Sequence, residues 1–496
     1  MSARSLRRGA AILLVFLAPL AAGCYSISPS AGGGQTRAGN RYVNPGDVAL
    51  PPGYRIELVA RGLTFPTGVT FDDTGRLYVV ESGYSYGEKW TTSRLLRVDG
   101  DGGTTVIATG ENGPWNGVDF DDGAFFIAEG GHRDGGRVLR VSADGSRKDV
   151  VLDNLPSLGD HHTNGPVVGP DGWIYFGQGT ATNSGVVGPD NAKMGWLRRH
   201  PTFHDIPARD VKLAGHNFTS DNPLTNTRGD QATTGAYLPY GTPSLEGQVI
   251  RGQTLCTGAV LRVRPSGGDV EVVAWGLRNP YGLAFGPDGR LYVTENSYDV
   301  RGNRPVWGAG DVLWAVDPDP AKALWYGWPD FHGDTPITKA DHYGAPFRDR
   351  APKFLLAEHP NEPPAPVVKL GVHSSSNGID FCRSGRFGHN GDAFVAQFGD
   401  MAPAVGKTMA PVGFKVVRVD VRNGTIHDFA ANRGRQNGPA SRLKKGGLER
   451  PTALRFSPDG RSLYVVDFGV MTVDDNGPRP RERTGVLWRI TWEGGQ

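Results

Sequence analysis

Cysteine is scarce, with only Cys24, Cys256 and Cys382 in 496 residues. That excludes a disulfide-built scaffold and leaves too few thiols for a cysteine-ligated metal centre. A disulfide between Cys256 and Cys382 and a pair of free thiols both stay open. Charge of one sign is missing too. Lys and Arg number 53 against 51 acidic residues, a formal net charge of +2 without basic runs. Such a surface lacks the electrostatic footprint of a nucleic-acid-binding protein. The one long apolar run, residues 10–22, is too short to span a bilayer. Glycine (72) and proline (37) are plentiful, as in a chain of turns and short strands rather than helices.

The apolar run follows Arg4, Arg7 and Arg8, so residues 1–23 read as an export leader. Ala21-Ala22-Gly23-Cys24 resembles a bacterial lipobox, which implies lipidation of Cys24 and a protein held on a membrane surface of the cell envelope. An ordinary leader, giving a periplasmic or secreted protein, is the alternative. Residues 24–52 have the Ser, Gly, Pro and Asn content of a flexible tether.

From there one phrase returns six times: an apolar strand, a turn, and a second apolar strand. It begins at Gly68, Gly117, Gly165, Gly282, Gly378 and Ala453, and it reads most clearly as Gly282-Leu-Ala-Phe-Gly-Pro-Asp-Gly-Arg-Leu-Tyr. Period-2 apolar runs joined at Asp-Gly are hairpins. A third strand follows each pair, as in Val260-Leu-Arg-Val, and a fourth completes most copies. Four strands repeated six times predict an all-β fold, a six-bladed β-propeller over residues 53–493. The last copy ends at its third strand, and an orphan strand from Tyr54 precedes the first. The orphan is expected to complete the last blade and close the ring. A long insertion, residues 180–257, follows the third blade's inner strands; it shows no clear strand alternation and carries Trp196, His200, His204 and His216. It is expected to form a packed cap rather than a metal site.

In a propeller, residues just ahead of each innermost strand converge on the axis. Here they are Phe65-Pro66, Trp115-Asn116, Asp160 to Asn164, Arg278-Asn279-Pro280, His373 to Asn377 and Arg450-Pro451. So many His, Arg and Asn side chains predict a polar axial pocket. In Asp160-His161 a neutral imidazole can take a proton while a carboxylate orients it. Arg278 and Arg450 are fixed cations suited to gripping carboxylates. The run from Thr294 to Asp299, with Asp311, offers oxygen atoms of the kind Ca²⁺ takes.

Gly276-Leu-Arg-Asn-Pro-Tyr-Gly-Leu-Ala-Phe, Thr294-Glu295-Asn296, Trp325-Tyr-Gly-Trp-Pro and Gly391-Asp-Ala-Phe-Val-Ala resemble the glucose/sorbosone dehydrogenase family. These are six-bladed propellers that use pyrroloquinoline quinone (PQQ), and the sorbosone branch is the nearer match. The resemblance implies a quinoprotein that oxidises a sugar, a sugar-derived aldehyde or a polyol, with electrons passing to an unidentified acceptor. It implies His161 as general base, Asp160 as its orienter, Arg278, Asn279 and Arg450 as cofactor clamps, and Asn112 near the substrate. It implies Ca²⁺ on the main chain of Ser297 and Tyr298, with Glu295 and Asp311 as further oxygen donors. Two cofactor-gripping cations of the family are absent: Phe398 stands for a lysine, which Lys407 or Lys415 would have to replace, and Thr452 stands for an arginine. Two other readings stay open, a Ca²⁺-dependent lactonase-like hydrolase and a non-enzymatic propeller binding carbohydrate or protein.

Overall fold

The computed structural model describes residues 41–225, 227–344, 351–406, 408 and 410–494. Six antiparallel sheets, five of four strands and one of five, stand around an axis. Their innermost strands are Pro66–Phe71, Trp115–Asp121, Thr163–Val168, Asn279–Phe285, Ser376–Phe381 and Pro451–Phe456. Each packs against the next, and the sixth against the first, so the ring is closed. Closure is covalently staggered as expected. Tyr54–Leu63 pairs with Gly485–Trp492 and supplies the outer strand of the sixth blade, which removes the free edge a linear array would leave.

The turns follow the sequence signal. In the third and fourth blades, Gly172 and Gly289 close the hairpins at φ +75° and +79°, a conformation that costs glycine nothing. The repeat also brings one small residue per blade to the axis. A Cβ built on Gly117 would lie 1.7 Å from the Gly165 carbonyl oxygen, so the second and third blades meet there only because neither carries a side chain. Between blades the core is aliphatic and aromatic, with Trp115, Trp314 and Trp488 fully buried.

A polar bracket recurs in each blade. The second strands carry, at or near their ends, Glu81, Glu129, Gln178, Glu295, Gln397 and Asp467. Glu81 accepts the Thr64 N–H at 2.6 Å, and Asp467 accepts the Arg450 N–H at 2.9 Å. Glu295 accepts the Arg278 N–H and the Trp314 indole N–H. These carboxylates hold the turn that leads into the innermost strand, satisfying main-chain donors that burial would otherwise orphan.

Two expectations are corrected, and one open alternative is decided. The segment read as a tether is structured from Arg41 on: Arg41 is paired with Asp467, and Val48–Ala49 adds a fifth strand to the fifth blade. The remainder of that segment, with the leader and Cys24, lies outside the described residues. Cys256 and Cys382 are free, buried thiols in separate cores. The insertion does contain strands, Val211–Ala214 paired with Glu246–Ile250 and Asn217–Asp221 paired with Gln231–Gly235. These hairpins are too short and too polar for a period-2 apolar signal. Two helical turns, Pro189–Lys193 and Trp196–Arg199, precede them. The insertion shares a core with Tyr298, Trp325 and Trp328 of the fourth blade.

Candidate active site

A cleft enclosing about 1190 Å³ of atom-free space, solvent at its mouth included, opens on the axis. Its floor is a chain of amides supplied by successive blades. Asn116 donates to Asn164 (3.1 Å), Asn164 to Asn279 (2.9 Å), Asn279 to Asn296 (3.1 Å), and Asn296 to the Ser376 carbonyl (3.0 Å). Its walls include Tyr86, Trp196, Phe398 and Phe468.

His161 stands on this wall, 5% exposed. Its Nδ1 lies 3.0 Å from the Thr180 carbonyl oxygen and 3.1 Å from the Thr180 hydroxyl. That hydroxyl donates its own proton to the Thr182 carbonyl at 2.7 Å. Both neighbours of Nδ1 are therefore acceptors, so Nδ1 carries the proton and Nε2 keeps the lone pair. Burial, reinforced by the Arg278 and Arg301 guanidiniums, holds His161 well below the ordinary histidine pKa. The imidazole is thus a neutral base at neutral pH.

Asp160 does not orient it. Its carboxylate is 3.7 Å from Nε2, too far for a hydrogen bond, and is gripped by Arg301. The orienting group is the Thr180 carbonyl, at the start of the insertion. Arg301 also donates to Asp190 at 2.6 Å and to Asp299 at 3.1 Å. Arg278 donates to Asp299 (2.7 Å) and to the Asn183 side-chain oxygen (3.0 Å). Burial works against the charge on Asp299, but the two guanidiniums outweigh it and hold its pKa below the ordinary carboxylate value.

Arg278 and Asn279 line the cleft as expected, and Arg450 does not. The strand register explains this. Pro280 faces Glu295 and Pro451 faces Asp467, so Arg278 stands two residues ahead of its proline and Arg450 one. They are not equivalent positions of the repeat. Arg450 is fully buried behind the wall, its guanidinium 4.7 Å from the Phe398 ring centre and 5.1 Å from that of Phe414. It donates to the carbonyls of Phe398, Gly399 and Asp400.

Asn112 also falls away from the cleft, its amide donating to Glu129 (3.2 Å) and to the Gly135 carbonyl (3.0 Å). Of the expected cation donors, Glu295 is the fourth blade's bracket, and burial lifts its pKa to about 7. Asp311 lines the cleft, but its oxygens accept from the Ser297 N–H, the Ser374 hydroxyl and the Ser376 N–H. The Tyr298 hydroxyl turns to the Phe331 carbonyl. Among the described residues no group of three or more His, Cys, Asp or Glu side chains is assembled to hold a metal ion. These carboxylates do not fit a Ca²⁺ site. Lys415 reaches Asp428 on the neighbouring strand, and Lys407 lies outside the described residues.

The cleft fits a flat, hydrogen-bonding ring system. It presents the amide floor and aromatic walls, with the Arg278 and Arg301 guanidiniums, both paired with carboxylates, at its side. On its lining, the Trp196 indole N–H and the Asn377 amide oxygen are buried with no hydrogen-bond partner among the described residues, and buried groups of that kind call for a partner.

Reading the sequence missed Arg301, Asp190, Asn183 and Thr180. Three of these lie in the insertion and the other in a loop, where no repeat marks their place. The acid or glutamine that recurs near the end of each second strand was legible, and it would have identified Glu295 as structural.

No family model matches the chain, and no curated protein does. Among solved structures it is similar to the holo form of the pyranose dehydrogenase PQQ domain from Coprinopsis cinerea, at 18% identity over 90% of this chain and 97% of that one, TM-score 0.51. It is similar to the same degree to a Trichoderma reesei carbohydrate-active enzyme of family AA12, at 16% identity over 92% of this chain and 100% of that one, TM-score 0.51. At this identity the likeness establishes the fold, and that fold is the six-bladed propeller.

Proposed function

We propose that the protein is a quinoprotein oxidoreductase acting on a sugar, a sugar-derived aldehyde or a polyol. The observation that carries this reading is His161, a neutral imidazole whose Nδ1–H is spent on Thr180 and whose Nε2 is free on the wall of an axial cleft. The likeness to a PQQ-holding sugar dehydrogenase domain supports it. Arg278 and Asn279 would hold the cofactor's carboxylates, and the aromatic walls its flat face. Bound there, PQQ would supply a hydride-accepting ring. His161 takes the proton from the substrate hydroxyl through Nε2, and the Thr180 carbonyl stabilises the resulting imidazolium through Nδ1–H. The amide floor fixes sugar hydroxyls by donating and accepting at once.

If a divalent ion takes part, the main-chain oxygens of Ser297 and Tyr298 are the ligands implied by the family resemblance. Export and lipid attachment at Cys24 belong to the proposal on sequence grounds.

The test is sugar-dependent reduction of an artificial electron acceptor by purified protein given PQQ and Ca²⁺. His161→Ala should abolish turnover and leave quinone affinity within about threefold, since Nε2 acts on the substrate proton. Equal turnover in that variant rejects the assigned base. Absence of both turnover and quinone binding removes the oxidoreductase reading.

A further inference from the structure

Arg301 is the most heavily paired charge in the cleft, yet nothing in the proposed chemistry uses it. It meets three carboxylates from three separate segments: Asp160 ahead of the third blade, Asp190 in the insertion, and Asp299 beside it in its own loop. Its side chain is 9% exposed, so these pairs are shielded from solvent. Asp160 is the carboxylate nearest the free nitrogen of His161, at 3.7 Å. A carboxylate released at that distance would draw a proton onto Nε2 and pair with the imidazolium, which would no longer be a base.

We propose that Arg301 is a positioning residue for His161: by engaging Asp160 it keeps that carboxylate from pairing with the imidazole, and Asp190 anchors Arg301 where it does so. The insertion is then part of the catalytic apparatus, contributing Thr180 to one side of the imidazole and Asp190 to the guanidinium on the other. The charged and titratable groups acting on His161 are Asp160, Arg278, Arg301 and Asp299, with His132 behind it. Arg278 is 3.9 Å from Asp160, and its shorter pair, at 2.7 Å, is with Asp299. It therefore does not replace Arg301.

The inference rests on His161 being the base only for its consequence in turnover; its direct test needs no activity. In the full chain labelled with ¹⁵N-histidine, His161 (assigned through His161→Gln) should keep the Nδ1–H neutral form from pH 8 down to pH 5. In Arg301→Gln it should titrate inside that window, and in Arg301→Lys it should stay neutral. Asp190→Asn, the milder change, separates anchoring from simple charge. Loss of the anchor frees Asp160 and raises the His161 titration, whereas loss of a nearby negative charge alone would lower it. A His161 that stays neutral down to pH 5 in Arg301→Gln, or in Asp190→Asn, overturns the proposal. If Arg301→Gln does not fold, Asp190→Asn decides. Where turnover is measurable, the acid limb of its pH profile should move upward by at least one unit in Arg301→Gln. Absence of turnover on every sugar, together with absence of quinone binding, removes the oxidoreductase reading and leaves the titration result standing.

Discussion

Replacing Asp330 by alanine should cost more stability than any other single carboxylate removal in the loops above the cleft. Asp330 is fully buried, and its two oxygens serve four donors: Arg304 (2.9 Å), the Leu355 N–H (2.8 Å), the Leu356 N–H (2.9 Å) and His359 (3.2 Å). Arg304 is itself buried, and it ends the loop that presents Asp299 and Arg301. Breaking a buried ion pair from one side leaves an uncompensated charge, which costs about 3–5 kcal/mol. Two orphaned main-chain donors add to this, though not independently, so a loss of about 5 kcal/mol is expected. Arg304→Met combined with Asp330→Leu should recover roughly half of that, since no buried charge remains. Recovery stays partial because Arg304 also donates to the carbonyls of Ser184 (3.1 Å), Pro329 (2.7 Å) and Lys353 (2.7 Å). Equilibrium unfolding in urea, read from midpoints at constant slope, measures both. A loss below about 1 kcal/mol for the single variant, or a double variant no better than the single, would refute the reasoning.

Gly117→Ala should lower stability by about 3 kcal/mol or more, because φ is +100° and the new Cβ meets the Gly165 carbonyl. Gly75→Ala, at φ +80° in open space, should cost only about 1 kcal/mol, and thermal midpoints compare the two. Arg278→Met should weaken quinone binding at least about tenfold in an absorbance titration, while Arg450→Met should change it by less than about threefold; equal losses would return Arg450 to the cleft. His162 and His132 share one proton across 2.6 Å, and burial lowers the His162 pKa to about 3. The folded state then binds fewer protons than the unfolded state between pH 3 and 6.5, so stability rises with pH through that window. It should fall by about 4–5 kcal/mol on acidification, and His162→Phe should flatten the slope.

The propeller was legible because its two determinants are local. Alternation decides which face each strand buries, and Asp-Gly decides where it turns. Ring closure was legible from mismatched ends, and Val48–Ala49 was not, since two residues carry no period. The positions ahead of each innermost strand located the cleft and brought His161, Arg278, Asn279 and Asn377 to it. Which of those side chains face the cleft was less readable. Arg278 and Arg450 look alike in sequence, and only the proline register shows that one faces the ligand space while the other sits behind Phe398. Asp160 looked like the partner of its neighbour, but adjacent residues seldom point at one another. The imidazole is held instead by Thr180, 19 positions on.

The division of labour follows from the architecture. What six repeats can build by repetition is a neutral floor: each blade offers a similar position, and four of them contribute amides that hydrogen-bond around the axis. A ring of that kind holds hydroxyl groups but cannot by itself move a proton, because no member differs enough from its neighbours. Asymmetry has to enter where the repeat is interrupted. It does so in the insertion, which brings Thr180, Asn183 and Asp190, and in the fourth-blade loop, which brings Asp299, Arg301 and Arg304. These loops meet above His161 and make one imidazole of the hub unlike the rest: its Nδ1–H is held by Thr180 and its Nε2 is left free on the cleft. Shortening the insertion while sparing every blade should therefore leave a folded propeller whose hub still gathers polar side chains but whose histidine no longer has a defined tautomer.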